Sequence, residues 1–97
     1  MYNKKHTPQI ENRLLATYIA DNANFEEACL TGNAAQIISI IEMEMEKNNL
    51  YTKGAKKLRE DIIRLLRHQE HVPTYVGQDV LMFVWNSRLA GTGFAVA

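Results

Sequence analysis

The chain has 97 residues and a mass of 11.1 kDa, enough for one small domain and too little for two, which would need about 100 residues each to build separate cores. Eleven basic residues balance eleven acidic ones, 46% of the chain is hydrophobic and two residues are proline, which excludes a disordered tail and a histone-like basic arm. Cys29 is the sole cysteine, so no intramolecular disulfide can form, and a thiol that reads as a small apolar side chain fits a reducing, cytoplasmic setting.

Residues 1–6 are polar, lack the apolar stretch of a signal peptide and are expected to be a flexible tail. Thr7 followed by Pro8 opens a first helix, with a hydroxyl to cap free amides and a proline where its missing N–H costs nothing. Ile10, Leu14, Leu15, Tyr18 and Ile19 then repeat at helical spacing as far as Asp21 and Asn22. Asn24, with Glu27 three residues on, outlines a capping box, and Gly32 supplies a left-handed stop. They bound a short second helix that buries Phe25, Ala28 and Cys29.

Asn33 caps a third helix, with Gln36 at its third position, running to Asn48 and Asn49. On a helical wheel Ala34, Ile37, Ile38, Ile41 and Met45 share one face, while Ile40 and Met43 point the other way. A helix apolar on nearly every side is central in its domain or covered by another chain, which makes Ile40 and Met43 the candidate homodimer interface. Thr52 caps a fourth helix with an inner stripe of Ala55, Leu58, Ile62, Leu65, Leu66 and Gln69, and Pro73 bars its continuation.

Residues 80–85 form the longest apolar run, far short of the roughly 20 residues that span a bilayer, so no membrane partner is expected. The spacing of Leu81, Val84, Trp85 and Leu89, with Gly91 as a stop, supports a fifth helix. Val76 before the run, and Phe94, Ala95 and Val96 after a glycine turn, support a strand or hairpin instead. The helix is the favoured alternative, and residues 92–97 form a C-terminal tail. The expected architecture is an all-α, single-domain bundle over residues 7–91, four to five short helices packed around the third. Its expected core is Leu14, Tyr18, Phe25, Ile37, Ile41, Leu58, Ile62, Leu65 and Trp85.

Charge is polarised along the chain: six acids and no base occupy residues 21–46, and seven bases face three acids in residues 47–71. On the outer side of the fourth helix, Lys53, Lys56, Lys57, Arg64, Arg67 and His71 form a basic ridge interrupted by Glu60. From Lys53 to Arg67 it would run roughly 21 Å, long enough to track an acidic protein or a nucleic-acid backbone. The plain alternative is a solvated face, and the helix lacks aromatic residues that would stack on bases. Glu42 and Glu46 near the end of the third helix, and Lys53, Lys56 and Lys57 at the start of the fourth, each oppose their own helix dipole. A tight hairpin would let the two sets pair, Glu46 with Lys57 among them.

Ala28, Gly32, Ile38 and Ile41 have the small, glycine, apolar, apolar spacing of the helix-turn-helix, and residues 25–41 resemble that motif of DNA readers. Glu27 and Thr31 stand where it uses apolar side chains, and the would-be recognition helix has no Lys or Arg before Lys47. An acidic helix carrying Glu42, Glu44 and Glu46 is repelled from DNA, which favours a tight helix corner. His68 and His71, three apart, match no metal-binding pattern and read as partners of a helix C-terminus. Cys29 lies on an inner face, Ser39 and Ser87 sit in no nucleophile motif, and Gly91-Thr92-Gly93 is too short for a phosphate loop.

These residues point to no catalysis, cofactor or metal. They lead to the expectation of a small non-catalytic binding protein that regulates or inhibits a macromolecule, most simply a protein. Compact accessory proteins of phages and mobile elements share this size and composition, an analogy no motif carries. The alternative is a nucleic-acid-binding regulator using the basic ridge or the degenerate helix-turn-helix.

Overall fold

Helices stop and start where side chains or glycine can satisfy the backbone groups left over at their ends. The structure, a computed structural model, describes residues 8–90 and places five helices there: α1 (Pro8–Asp21), α2 (Phe25–Leu30), α3 (Ala34–Lys47), α4 (Lys53–Leu65) and α5 (Thr74–Ala90). Thr7, Gly91, both expected tails and Phe94, Ala95 and Val96 lie outside the described residues. Asn33 Oδ1 accepts from the Gln36 amide at 3.1 Å and Thr52 Oγ1 from the Ala55 amide at 3.3 Å, the caps expected for α3 and α4. Asn24 does not close a capping box. Its backbone is already in the helical region, whereas a side-chain cap needs an extended one, and Asn22 Oδ1 instead accepts from the Asn24 amide at 2.9 Å.

α4 ends at Leu65, well before Pro73, because Arg67 and His68 take positive φ angles of 56° and 57° and carry the chain away from the helix axis. Gln69 is therefore exposed rather than part of the inner stripe. Residues 74–90 are helical, so the strand alternative fails there, and α5 starts where the Pro73 carbonyl accepts from the Val76 and Gly77 amides. Among the described residues the only β-pairing is one isolated antiparallel bridge between Asn33 and His71, and no helix is long and apolar enough to cross a membrane.

The central helix is α1 and not α3: α1 touches all four others and packs most broadly on α5 and α4. Leu15, Ala16 and Ile19 are fully buried along this narrow seam, while Leu14 and Tyr18, expected in the core, fall beside it and are exposed. Phe25, Ile37, Ile41, Leu58 and Ile62 are buried as expected, and Leu65 is only half-buried beside the fully buried Leu66. Trp85 is also exposed, because the inner face of α5 is set by Gly77, Val80 and Val84, and the next residue along a helix is turned about 100° away.

α3 is rotated toward Ile40, which is 4% exposed and belongs to the core, so it is not the surface side chain expected at a dimer interface. Met43 remains on the outside at 46% exposure. The rotation also buries Glu44, and two asparagines make that tolerable. Asn22 Nδ2 donates to Glu44 Oε2 at 2.9 Å, and Asn48 Nδ2 donates to Oε1 at 3.2 Å and to the Glu44 carbonyl at 2.8 Å. A buried carboxylate without such donors would be strongly unfavourable.

Two glycines let backbone meet backbone. Gly32, at φ 69°, donates its space to the α4–α5 connection: a Cβ there would lie 1.9 Å from the Val72 carbonyl oxygen, and the Val72 amide donates to the Gly32 carbonyl at 2.9 Å. A Cβ on Gly77 would lie 1.8 Å from the Cys29 carbonyl oxygen, so α5 sits directly on α2. Gly77→Ala is therefore expected to cost about 3 kcal/mol or more in urea unfolding, since neither backbone can yield cheaply. Glu44→Ala should cost about 1–3 kcal/mol, because the Asn22 amide loses its carboxylate acceptor and the Asn48 amide keeps only the residue-44 carbonyl. An unchanged midpoint in either variant would contradict the packing described.

Candidate functional site

The side chains that could do covalent or metal chemistry lie apart from one another among the described residues. Cys29 is fully buried on α2, and desolvation first, with the Glu26 carboxylate second, pushes its thiol up to about 12, so the group is held protonated at neutral pH. His68 and His71 follow the end of α4 and share no helix face, and among the described residues no group of three or more His, Cys, Asp or Glu could hold a metal ion. Ser39 is exposed on α3 and Ser87 half-buried on α5, on separate elements.

The residues of the basic ridge are all exposed: Lys53, Lys56, Lys57 and Arg64 on α4, Arg67 and His71 after it. The ridge is shorter and less basic than the sequence implies. Because α4 stops at Leu65, its straight part from Lys53 to Arg64 spans about 17 Å. Asp61 sits inside it and is shared, with Lys57 Nζ at 3.3 Å and an Arg64 guanidinium nitrogen at 3.0 Å from the same Oδ1. The expected hairpin pairing exists in a different form: an Arg59 guanidinium nitrogen reaches Glu42 Oε2 at 2.7 Å, joining α4 to α3, and Glu46 and Lys57 are not paired. A cavity of about 390 Å³ at this hairpin is lined by Glu42, Glu46, Tyr51, Lys56 and Arg59 among others, a mixture of both signs with no set of like groups converging on one ligand atom.

The resemblance to a helix-turn-helix reduces to a tight corner. Gly32 serves the turn, but α2 is six residues long and α3 exposes Gln36, Ser39, Glu42, Met43 and Glu46, a face with little to offer phosphates.

The surface that stands out is one the sequence reading did not single out, the outer side of α5. Tyr75, Met82, Trp85 and Leu89 lie along one line of this helix and are 40 to 67% exposed, while Gly77, Val80 and Val84 on the opposite side are buried. The Arg88 guanidinium stands 4.3 Å from the centroid of the Trp85 ring and steadies the indole at the edge of the line. Exposed Gln78 lies within this arc, one turn before Met82, and exposed Asp79 and Asn86 flank it. The signal was in the sequence: Tyr75, Met82 and Leu89 recur every seventh residue, two turns of helix. It was hidden by the continuous run at residues 80–85, which supplies both faces at once.

The chain matches no protein-family model, and comparison with curated proteins and with solved structures finds no match either.

Two tests follow from this geometry. The folded state holds the Cys29 proton up to about 12, whereas an exposed thiol loses it from about 9, so in that window the unfolded state binds fewer protons. Stability should thus fall as pH rises from 9 toward 12, and the fall should be smaller in Cys29→Ala, read from urea midpoints at pH 8 and pH 10. In a double-mutant cycle of Glu42→Gln and Arg59→Gln the coupling should be at most about 1 kcal/mol, and that of Glu46 with Lys57 close to zero.

Proposed function

We propose that this protein is a non-catalytic, cytoplasmic binding protein that makes its protein–protein contact through the outer face of α5 and regulates or inhibits a macromolecule. The observation that carries the reading is the line of Tyr75, Met82, Trp85 and Leu89, held exposed on a helix whose other side is locked into the core. Contiguous apolar surface is unfavourable in water and marks interaction sites, and Tyr, Trp and Met are the side chains most enriched where proteins meet. The buried, protonated Cys29 supports both a non-catalytic role and a reducing environment.

A second reading, binding of nucleic acid, draws on Lys53, Lys56 and Arg67, which have no ion pair among the described residues. Asp61 and Glu60 within the same ridge work against it by repelling phosphates. The two readings separate in a capture experiment from host lysate, with and without nuclease. Trp85→Ala with Met82→Asp should reduce retention of a captured protein about thirtyfold or more, the effect of losing a central anchor. Lys56→Ala, Arg64→Ala and Arg67→Ala combined, or nuclease, should leave retention unchanged. The opposite pattern, retention lost with nuclease and with the ridge substitutions, overturns the proposal in favour of nucleic acid.

A further inference from the structure

We infer that the protein seated on the outer face of α5 is a second copy of this chain, packed antiparallel about a two-fold axis through Met82. This rests on the reading of that face as a protein-binding surface and names its occupant.

A symmetric dimer requires a patch that is complementary to itself. The outer face of α5 meets that requirement along its whole length. Outward from Met82 it carries a large apolar residue seven positions away in both directions, Tyr75 before and Leu89 after. When two such helices run antiparallel with their Met82 side chains facing, Tyr75 of each copy meets Leu89 of the other. Along one edge Gln78 meets Trp85, and along the other edge Asp79 meets Asn86, whose side-chain amide is a donor for the carboxylate. No like charges face each other, since Asp79 is the only acidic or basic side chain among these contacts. Antiparallel packing also sets the positive N-terminal end of each helix beside the negative C-terminal end of the other.

The area is of the right size. At about 200 Å² for a large apolar side chain, four residues that are 40 to 67% exposed present roughly 450 Å² per copy. Two copies contribute about 900 Å², and Gln78, Asp79 and Asn86 carry the total past the roughly 1,000 Å² that a specific interface needs. An interface near that threshold is a reversible one, so the dimer should dissociate on dilution.

The test uses the full chain. Sedimentation velocity over a range of concentrations should show the mass rise from 11.1 kDa toward twice that value, and Met82→Asp, which sets two carboxylates on the axis, should weaken association at least tenfold without loss of helical circular dichroism. Register is read by mild oxidation, with Cys29 silent because it is buried. Met82→Cys should form a disulfide-linked dimer with itself, and Tyr75→Cys should link to Leu89→Cys in a mixture of the two, but not to itself. Self-linking of Tyr75→Cys would show a parallel pair and overturn the arrangement. A mass that stays at 11.1 kDa at the highest concentration overturns self-association altogether. If Trp85→Ala with Met82→Asp still abolishes capture of a different protein, the face remains a docking surface and only its assigned occupant is wrong; if capture is also unaffected, the broader reading falls with it.

Discussion

Direct contact between the backbones of α2 and α5, at Cys29 and Gly77, is the constraint from which most of the remaining geometry follows. α2 has six residues, too few to hold a helix in water by themselves, so it exists because it is clamped. Gly77 closes one side of the clamp. Gly32 closes the other, where the α4–α5 connection lies against the corner: the Val72 amide donates to the Gly32 carbonyl, and the Ala35 amide donates to the Glu70 carbonyl. Once Gly77 faces α2, residues three and seven positions later share its side, which turns Val80 and Val84 inward. The same rotation leaves Tyr75, Met82 and Leu89 with no core to enter. The exposed line is thus a consequence of how the core is closed.

A comparable constraint acts at the other end of the molecule through Glu44. Burying a carboxylate is favourable only when donors await it, and the amides of Asn22 and Asn48 supply them from the α1–α2 connection and from the C-cap of α3. That polar lock fixes the rotation of α3 and draws Ile40 inward beside Ile37 and Ile41. It also accounts for why an apolar helix does not sit at the centre. α1, with small Ala16 between Leu15 and Ile19, can approach α4 and α5 closely and occupies that place instead.

The segregation of charge along the chain, acids before bases, resolves in three dimensions into short local pairs. Glu42 meets Arg59 across the hairpin, and Asp61 is held between Lys57 and Arg64 on a single helix. Exposed pairs of this kind contribute little to stability, yet they lower the field that a uniform basic ridge would project. With the charges partly spent on one another and the one thiol sealed in the core, the apolar face of α5 is the most distinctive chemical feature of the described surface.

Local determinants were legible in the sequence. Asn33 and Thr52 cap their helices because a short side-chain oxygen reaches the amide three residues on, whatever the rest of the fold does. Gly32 turns left-handed for an equally local reason, and the clean stripe of α4, Ala55, Leu58 and Ile62, could face only inward. The sequence by itself thus determined four helices, favoured a fifth over a strand, and set most of their boundaries and the inner side of the one helix with sharply separated faces. It did not determine the rotation of α1, α3 or α5, because each carries apolar residues over more than half its circumference, and several arcs would bury similar area. Only the tertiary structure chose among them, through contacts with no signature in local sequence: a glycine against a distant carbonyl, a glutamate between two asparagines, and a central helix small enough to be enclosed by its neighbours.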